Sequence, residues 1–457
     1  IVDDFLCTSD TSAESKAAKK DLSWTVYRQN LLVDFSEKYL IGAAKKANPK
    51  IKMIIKYPQW YDRYHLFGYD VAREPGIYDQ VGIGTETRGQ YTKRFGFVQP
   101  YEGFVNYQWM TSLSGKKMRA AWFDHIDCVE SDFIDQAYQS VLAGAHELIL
   151  FNYFNFIEGH PGQHRLRYEF NHLADLAAAV AKNPVHGPIG YKPANSDPGG
   201  DMYIMDFIGM LGIPLLPRSQ FPNQADVIFL PTQSAADTNI YEKIKQSLEH
   251  KHRIIMTSGF LHQAMHSAEL AALAGVSWPI EVSTLNTKTI VINKQKVILD
   301  SILQMGAKLK LTDGIADLNA MVDGHSVPYL SHSKAGNIYV LNAHTYSDAD
   351  FQSVGEGLLS PYPLGILELP ETWVNTIRSV FNEKNIMPMQ GTSRITLQPF
   401  GNDEVMIQNY NSIESKINLG FKKPGNYVDV LSGDTLMVRI DTMSIILGPR
   451  SRKWIKM

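Results

Sequence analysis

The sequence predicts an α/β protein in three parts: the C-terminal part of a (β/α)8-type barrel, a doubly wound α/β domain and a small antiparallel β-sandwich. Five apolar runs in the first third each end in polar and aromatic residues, with helical or irregular sequence after them, as the buried strands of a barrel do. After residue 188, short apolar strands alternate with helices, and after residue 391, apolar and polar residues alternate between turns. A chain of 457 residues is long enough for two or three such domains.

The barrel part is predicted to span residues 1–187. Its strand runs are 1–10, 51–65, 80–90, 118–128 and 147–164. Helices are predicted at 11–48, 131–145 and 168–182. The first has an apolar face at a spacing near 3.6 residues, formed by Leu22, Val26, Leu32, Phe35, Tyr39 and Ala43. The second has Ser131 and Asp132 placed to cap and complement its N-terminus. Since eight strands close a barrel, about three are expected to be absent at the N-terminal side, and the abrupt start at Ile1 suggests a processed or truncated chain. An open sheet is the alternative.

The second domain is predicted to span 188–388 and the third 389–457. Short strands such as ADVIFLPTQS and HRIIMTSGF alternate with helices in the second domain, which also includes a strand at 337–345 and a helix at 370–385. Runs such as RITLQPF and EVMIQNYN form the β-sandwich.

Composition excludes several classes of function. The net charge of −3 and the scattered basic pairs give no sign of a nucleic-acid partner. The longest apolar stretch, 203–217, contains Asp206 and Pro214 and is too short to cross a membrane. Cys7 and Cys128 are too few for a disulfide framework and are expected to be buried free thiols, so the compartment stays open between cytoplasm and periplasm. Nothing in the sequence calls for a cofactor.

Candidate acids follow the strands. They are Asp3, Asp4, Asp62, Glu86, Asp124 and Asp127. A pair of carboxyl groups at strand ends can serve as a general acid and a general base. Glu86 is the strongest candidate because it is the only Glu directly at a strand tip, with Arg88 two residues on; the alternative is an ion pair that fixes a rim loop. Asp124 and Asp127 flank His125, and alternation points one carboxylate to the barrel mouth while the other orients the imidazole; helix capping is the alternative for Asp127.

Other strand-end residues are candidates for substrate binding. The aromatic residues can stack on a sugar ring, and the lysine can bind a hydroxyl or a carboxylate of the substrate. The Asn side chains can bind sugar hydroxyls. The alternative is that the polar and aromatic residues at the second strand end only pack at the rim of the barrel. They are Lys56, Tyr57, Trp60, Tyr61, His65, Arg88, His125, Asp127, Asn152, Asn155 and His160. The segment HPGQH at 160–164 lacks a third ligand at fixed spacing, so no metal is expected.

The domain order resembles that of the family 42 glycoside hydrolases, the β-galactosidase-like enzymes. The second domain resembles the flavodoxin-like and glutamine-amidotransferase-like folds but has no nucleophilic cysteine in VIFLPTQS or IIMTSGFL. IVDDF resembles the family's fourth strand, AAWFDHIDC the seventh and LAGAHELILFNYFNF the eighth. The resemblance implies Asp4 as acid/base and Asp124 as nucleophile, where the family has Glu at both positions, and it implies a trimer.

The predicted function is therefore that of a glycosidase, retaining and exo-acting on β-linked sugars of the galactoside or mannoside kind. Two alternatives remain open. One is a carbohydrate-binding or assembly protein that kept the scaffold and lost catalysis, which the replacement of Glu by Asp favours. The other is a carbohydrate lyase with Lys56, Tyr57 or His125 as the base.

Overall fold

The computed structural model describes residues 12–92, 94–151, 159–353, 360–383, 386–401 and 403–456. Its first sheet has four parallel strands in the order β1 (Ile54–Tyr57), β2 (Gln80–Gly84), β3 (Met118–Phe123) and β4 (Glu147–Leu150). The second to fifth predicted strands are confirmed, and the first, at 1–10, lies outside the described residues.

Helices connect and flank these strands. They are α1 (Ala13–Lys19), α2 (Trp24–Phe35), a π-helical turn (Ser36–Ile41), α3 (Gly42–Ala47), α4 (Glu74–Ile77), α5 (Tyr101–Ser114), α6 (Glu130–Leu142) and α7 (Pro161–Lys182). Helix α5 is buried over most of its length because it lies between the first sheet and the second domain. The hydroxyl of Tyr101 donates to the carbonyl of Leu215 at 3.1 Å, and Nε1 of Trp109 donates to the carbonyl of Lys192 at 2.9 Å.

The single helix predicted over 11–48 was wrong in two respects. The segment is broken between α1 and α2, where Ser23 caps α2, and its predicted apolar face is mostly exposed. Four residues of that face are exposed, namely Leu22, Val26, Phe35 and Tyr39. The buried positions are instead Gln29, Val33, Ser36 and Ile41.

Two helix starts also differ from the prediction. Val129, not Ser131, precedes the first turn of α6, and Oδ2 of Asp132 accepts the backbone N–H of Val129 at 3.3 Å. Helix α7 begins at Pro161 because Nδ1 of His160 accepts the N–H of Gly162 at 3.0 Å. Proline suits the first turn of a helix, where its missing N–H costs no hydrogen bond.

The second domain contains a nine-stranded mixed sheet. Five of its strands are parallel, in the order β13 (Ile338–Leu341), β8 (Arg253–Thr257), β7 (Val227–Leu230), β5 (Ile189–Tyr191) and β6 (Leu216–Arg218). Its helices are α8 (Ile204–Met210), α9 (Ile240–Glu249), α10 (Ser258–Gln263), α11 (Ser267–Ala274), α12 (Asp348–Gln352) and α13 (Glu371–Phe381). These elements agree with the predicted doubly wound pattern.

Four antiparallel strands extend this sheet and were not predicted. They are β9 (Glu281–Ile292), β10 (Gln295–Lys308), β11 (Ile315–Val322) and β12 (His325–His332). Two-residue turns join β9 to β10 at Asn293-Lys294 and β11 to β12 at Asp323-Gly324. All four residues have positive φ, as a two-residue hairpin turn of type I′ requires.

The C-terminal segment forms two antiparallel sheets, as predicted for a β-sandwich. One contains β14 (Met389–Gln390), β17 (Ser415–Gly420) and β20 (Thr442–Leu447). The other contains β15 (Ile395–Phe400), β16 (Glu404–Asn409), β21 (Arg452–Lys456), β18 (Gly425–Asp429) and β19 (Thr435–Val438). In the described ranges, no helix has the length and apolar character needed to cross a membrane.

Helix α6 links the part of the chain that forms the first sheet to this C-terminal domain. The buried carboxylate of Asp135 accepts hydrogen bonds from Arg450 at 2.6 Å and from Arg452 at 2.8 Å. Nε2 of Gln139 donates to the hydroxyl of Tyr410 at 2.6 Å. Because α6 directly follows β3, these contacts hold the end of that strand in place.

Candidate active site

Two buried carboxyl groups lie at the C-terminal ends of adjacent strands. Asp124 directly follows β3, and Glu86 comes two residues after β2. The strands are parallel and in register, with Gly84 opposite Trp122, so both acids lie at the same edge of the sheet. Glu86 is 2% exposed and Asp124 is 1% exposed.

Arg88 and Asp124 form a bidentate ion pair. Its Nε donates to Oδ1 at 3.1 Å and its Nη2 to Oδ2 at 2.7 Å. Gln136 on α6 joins the two backbones, since its Oε1 accepts the N–H of Arg88 at 3.3 Å and its Nε2 donates to the carbonyl of Asp124 at 2.9 Å. Arg88 has φ +52°, a conformation that costs a non-glycine residue roughly 1–3 kcal/mol and persists only where the surroundings impose it.

Glu86 is kept neutral by burial. Desolvation raises its pKa from 4.5 to about 8, against the opposing charge of Arg88. With its amide nitrogen towards Glu86, Gln59 donates to Oε1, and its carbonyl oxygen accepts from Nη1 of Arg88 at 3.2 Å. Oε2 of Glu86 has no hydrogen-bond partner among the described residues. A protonated carboxyl group with a free oxygen is suited to give its proton to a bound substrate.

Gly84 leaves room for this carboxyl group. A Cβ at that position lies 2.5 Å from Oε2 of Glu86 and 2.9 Å from the backbone nitrogen of Gln59. Both contacts are shorter than real Cβ contacts. Only glycine at position 84 therefore permits the observed position of the Glu86 side chain.

One face of the first sheet, here called the inner face, bears Lys56, Gly82, Gly84, Trp122 and Ile149, which share it by strand register. Because β2 presents only glycines between β1 and β3 here, Lys56 reaches across to β3, and its Nζ lies 3.6 Å from the ring centroid of Trp122. Phe151 continues the aromatic surface, with its ring centroid 5.6 Å from that of Trp122.

The two histidines lie beside the acids. The His125 and His160 ring centroids are 5.2 Å apart, and burial, followed by the neighbouring His160, lowers the pKa of His125. Both ring nitrogens of His160 have partners within the protein. Nδ1 caps α7, and Nε2 lies 3.2 Å from the carbonyl oxygen of Cys128. The thiol of Cys128 is free and half-buried, and burial raises its pKa.

Other predicted binding residues lie away from the inner face. The Tyr57 hydroxyl donates to Oε2 of Glu74 at 3.1 Å, on the opposite side of β1. Trp60 packs on Phe67 with ring centroids 4.2 Å apart. Two further candidates reach the second domain, since the Tyr61 hydroxyl donates to Asp206 at 2.9 Å and His65 pairs with Asp197 at 2.9 Å.

The remaining candidates are peripheral or outside the described ranges. Asp127 is exposed, has φ +52° and accepts from the hydroxyl of Thr92 at 3.2 Å. Of the other acids, Asp62 contacts Lys192 at 3.3 Å. Three predicted positions, Asp4, Asn152 and Asn155, and also Asp3 and Cys7, lie outside the described residues. The described side chains contain no group of three or more His, Cys, Asp or Glu arranged to hold a metal ion.

Sequence reasoning missed Gln59, Trp122 and Gln136. Alternation along β3 gives the signal for Trp122, which lies two residues before Asp124 on the same strand face. No comparable signal exists for the two glutamines, because their contacts depend on how a loop and a helix pack over the strand ends.

Comparisons with known proteins agree with this architecture. Residues 1–185 match a family model described as a probable glycosyl hydrolase, catalytic domain, and residues 187–346 match one described as the second domain of the uncharacterized protein SSO3021. Protein SSO3021 of Saccharolobus solfataricus is 22% identical in an alignment of 244 residues that covers 49% of this chain and 38% of that protein. The match thus covers well under half of that relative.

Solved structures are similar over nearly the whole chain. Gan42B, a family 42 β-galactosidase from G. stearothermophilus, matches with a TM-score of 0.56 and 11% identity over 95% of this chain and 67% of its own. In fold, this chain resembles the family 42 glycoside hydrolases. The β-galactosidase from Rahnella sp. R3 gives a TM-score of 0.57 and that from Bacillus circulans sp. alkalophilus 0.56, each at 11% identity, with the same coverage of 95% and 67%. The expected family resemblance is confirmed at the level of fold.

Proposed function

We propose that the protein is a glycosidase that hydrolyses β-linked sugars at the strand ends bearing Glu86 and Asp124. The observation that carries the proposal is the contrast between these two neighbouring acids. Burial favours the neutral form of Glu86, whereas Asp124 accepts two hydrogen bonds from the guanidinium group of Arg88. Neighbouring carboxyl groups with such contrasting surroundings are typical of an acid and its partner carboxylate.

In this mechanism Glu86 gives the proton from Oε2 to the glycosidic oxygen as the bond from that oxygen to the anomeric carbon breaks. Asp124 attacks the anomeric carbon and forms a glycosyl ester. Water then gives a proton to Glu86 and attacks the same carbon, which releases Asp124 as a carboxylate. Two displacements retain the configuration of the sugar. Gln59 orients Glu86, and Arg88 orients Asp124.

The family resemblance supports a second assignment for the proton donor, namely Asp4. Asp124 is the nucleophile in both assignments, because the resemblance matches its segment to the family's seventh strand. The aromatic surface of Trp122 and Phe151 supports binding of a sugar ring, and the same resemblance supports exo-action and a trimer.

Azide rescue tests the roles directly. Asp124→Gly is expected to be inactive on 2,4-dinitrophenyl β-glycosides and to form the α-glycosyl azide when azide is added. Glu86→Ala is expected to form the β-glycosyl azide, because azide attacks the ester that Asp124 has formed. If Asp4→Ala forms the β-azide and Glu86→Ala does not, Asp4 is the proton donor. Glycan binding without hydrolysis by the wild type favours a carbohydrate-binding protein and contradicts the proposal.

A further inference from the structure

Lys56 presents a cation on the inner face beside the proposed site. Its strand neighbours Ile55 and Tyr57 are buried on the other face, whereas Lys56 is exposed. The ammonium group lies over the rings of Trp122 and Phe151, at 3.6 Å and 5.5 Å from their centroids. The two aromatic faces fix the position of the charge while leaving it open to a ligand.

No described carboxylate lies within ion-pair distance of this ammonium group. Burial lowers the pKa of Lys56 and the charge of Glu86 raises it, but burial also favours the neutral form of Glu86. Asp124 is already paired with Arg88. The described part of the inner face therefore carries an uncompensated positive charge next to the proposed proton donor.

We propose that the sugar bound at this site carries a carboxylate, as a uronic acid does, and that Lys56, held over the rings of Trp122 and Phe151, binds that carboxylate. This inference rests on the proposed function and names its substrate class. An ammonium group partly removed from water gains more from an anionic oxygen than from a hydroxyl, because charge-assisted hydrogen bonds are roughly twice as strong as neutral ones.

Matched substrates test this choice because galacturonides and galactosides differ only at C6, where one has a carboxylate and the other a hydroxymethyl group. The 4-nitrophenyl β-galacturonide and β-galactoside, and likewise the β-glucuronide and β-glucoside, are compared on wild type, Lys56→Met and the control Lys52→Met. We expect wild type to favour the uronide in kcat/KM by about 10- to 100-fold, the range for one hydrogen bond to a charged group. Lys56→Met is expected to lose that preference, because its loss of kcat/KM on the uronide exceeds its loss on the neutral glycoside by the same factor, whereas Lys52→Met keeps the preference.

Two results overturn the inference: a wild-type preference for the neutral sugar, or an equal loss on both sugars in Lys56→Met. The second result means that Lys56 acts on the titration of Glu86 and not on the substrate, and the pH profile of kcat/KM in Lys56→Met is then shifted as well. If no glycoside is hydrolysed, the proposed function fails, and calorimetric titration with galacturonic acid and galactose decides this inference separately. Tighter binding of galacturonic acid than of galactose by wild type, lost in Lys56→Met, supports the inference. Equal binding of the two sugars, or binding of neither, overturns it.

Discussion

Replacing Glu86 by glutamine is expected to stabilise the protein at alkaline pH while removing its activity. The pKa of Glu86 is raised from 4.5 to about 8 in the fold, so between these values the folded state binds more protons than the unfolded state. The stability that this group contributes is fully present below pH 4.5 and is lost as pH rises to about 8. The glutamine side chain of the variant does not titrate and has no such loss.

The size of the effect follows from the same values. At about 1.4 kcal/mol per pH unit, wild type loses roughly 3 kcal/mol relative to Glu86→Gln between about pH 5.5 and pH 9. For a domain of 150–250 residues this corresponds to a change in the Tm difference of roughly 6–12 °C. Loss of the proton donor lowers kcat by about 10²- to 10⁴-fold.

Thermal unfolding of both proteins across this pH range, with aryl glycoside assays, measures both effects. Glu74→Gln is the matched control, because burial also raises the pKa of Glu74, to about 7, but this acid lies on the opposite side of β1 and binds Tyr57. It is expected to show a smaller stability shift that ends near pH 7, with unchanged activity. A Tm difference between wild type and Glu86→Gln that is independent of pH refutes the assignment of a neutral Glu86.

Three further predictions concern the same framework. Gly84→Ala displaces the Glu86 carboxyl group and is expected to lower kcat at least about tenfold with a smaller change in KM, whereas unchanged kinetics contradict the close approach. Arg88→Met leaves Asp124 buried without its partner and is expected to destabilise the protein by about 3–5 kcal/mol; a denaturant midpoint equal to that of wild type argues against the ion pair. Asp135→Ala removes the carboxylate that Arg450 and Arg452 share, leaving Arg450 with Asp132 and Arg452 at 4.0 Å from Glu169. It is expected to cost about 1.5–3 kcal/mol, as for a hydrogen bond to a charged group, without changing the pH profile of activity, and increased protease cleavage between the domains checks it.

Much of the fold could be predicted where the spacing of apolar residues along the sequence matches a strand or a helix clearly. The runs ending in Tyr57, Gly84 and Phe123 are short and apolar, and strands buried in parallel sheets have this pattern. The antiparallel strands after residue 281 were missed although the Asp323-Gly324 turn marks one of their hairpins. The face of the helical segment 11–48 was assigned wrongly, because periodicity shows which residues share a face and does not show what that face contacts.

The candidate site was predictable only in part. Glu86 and Asp124 lie within two residues of the ends of their strands, so strand ends identified them. Tyr57 and Tyr61 have equally polar neighbours in the sequence but make their hydrogen bonds away from the inner face. The side on which a strand-end aromatic residue lies depends on the packing of the next helix or domain, and no local pattern encodes that packing.

The central claim is that Glu86 and Asp124 together hydrolyse a β-glycoside. The most direct measurement is release of 4-nitrophenol from a panel of neutral and acidic β-glycosides by wild type, Glu86→Gln and Asp124→Asn, each first shown to be folded by its thermal unfolding. The account predicts that wild type hydrolyses at least one glycoside and that both variants lose this activity by at least about 100-fold. Hydrolysis that persists in both variants, or none by wild type on any sugar, contradicts it.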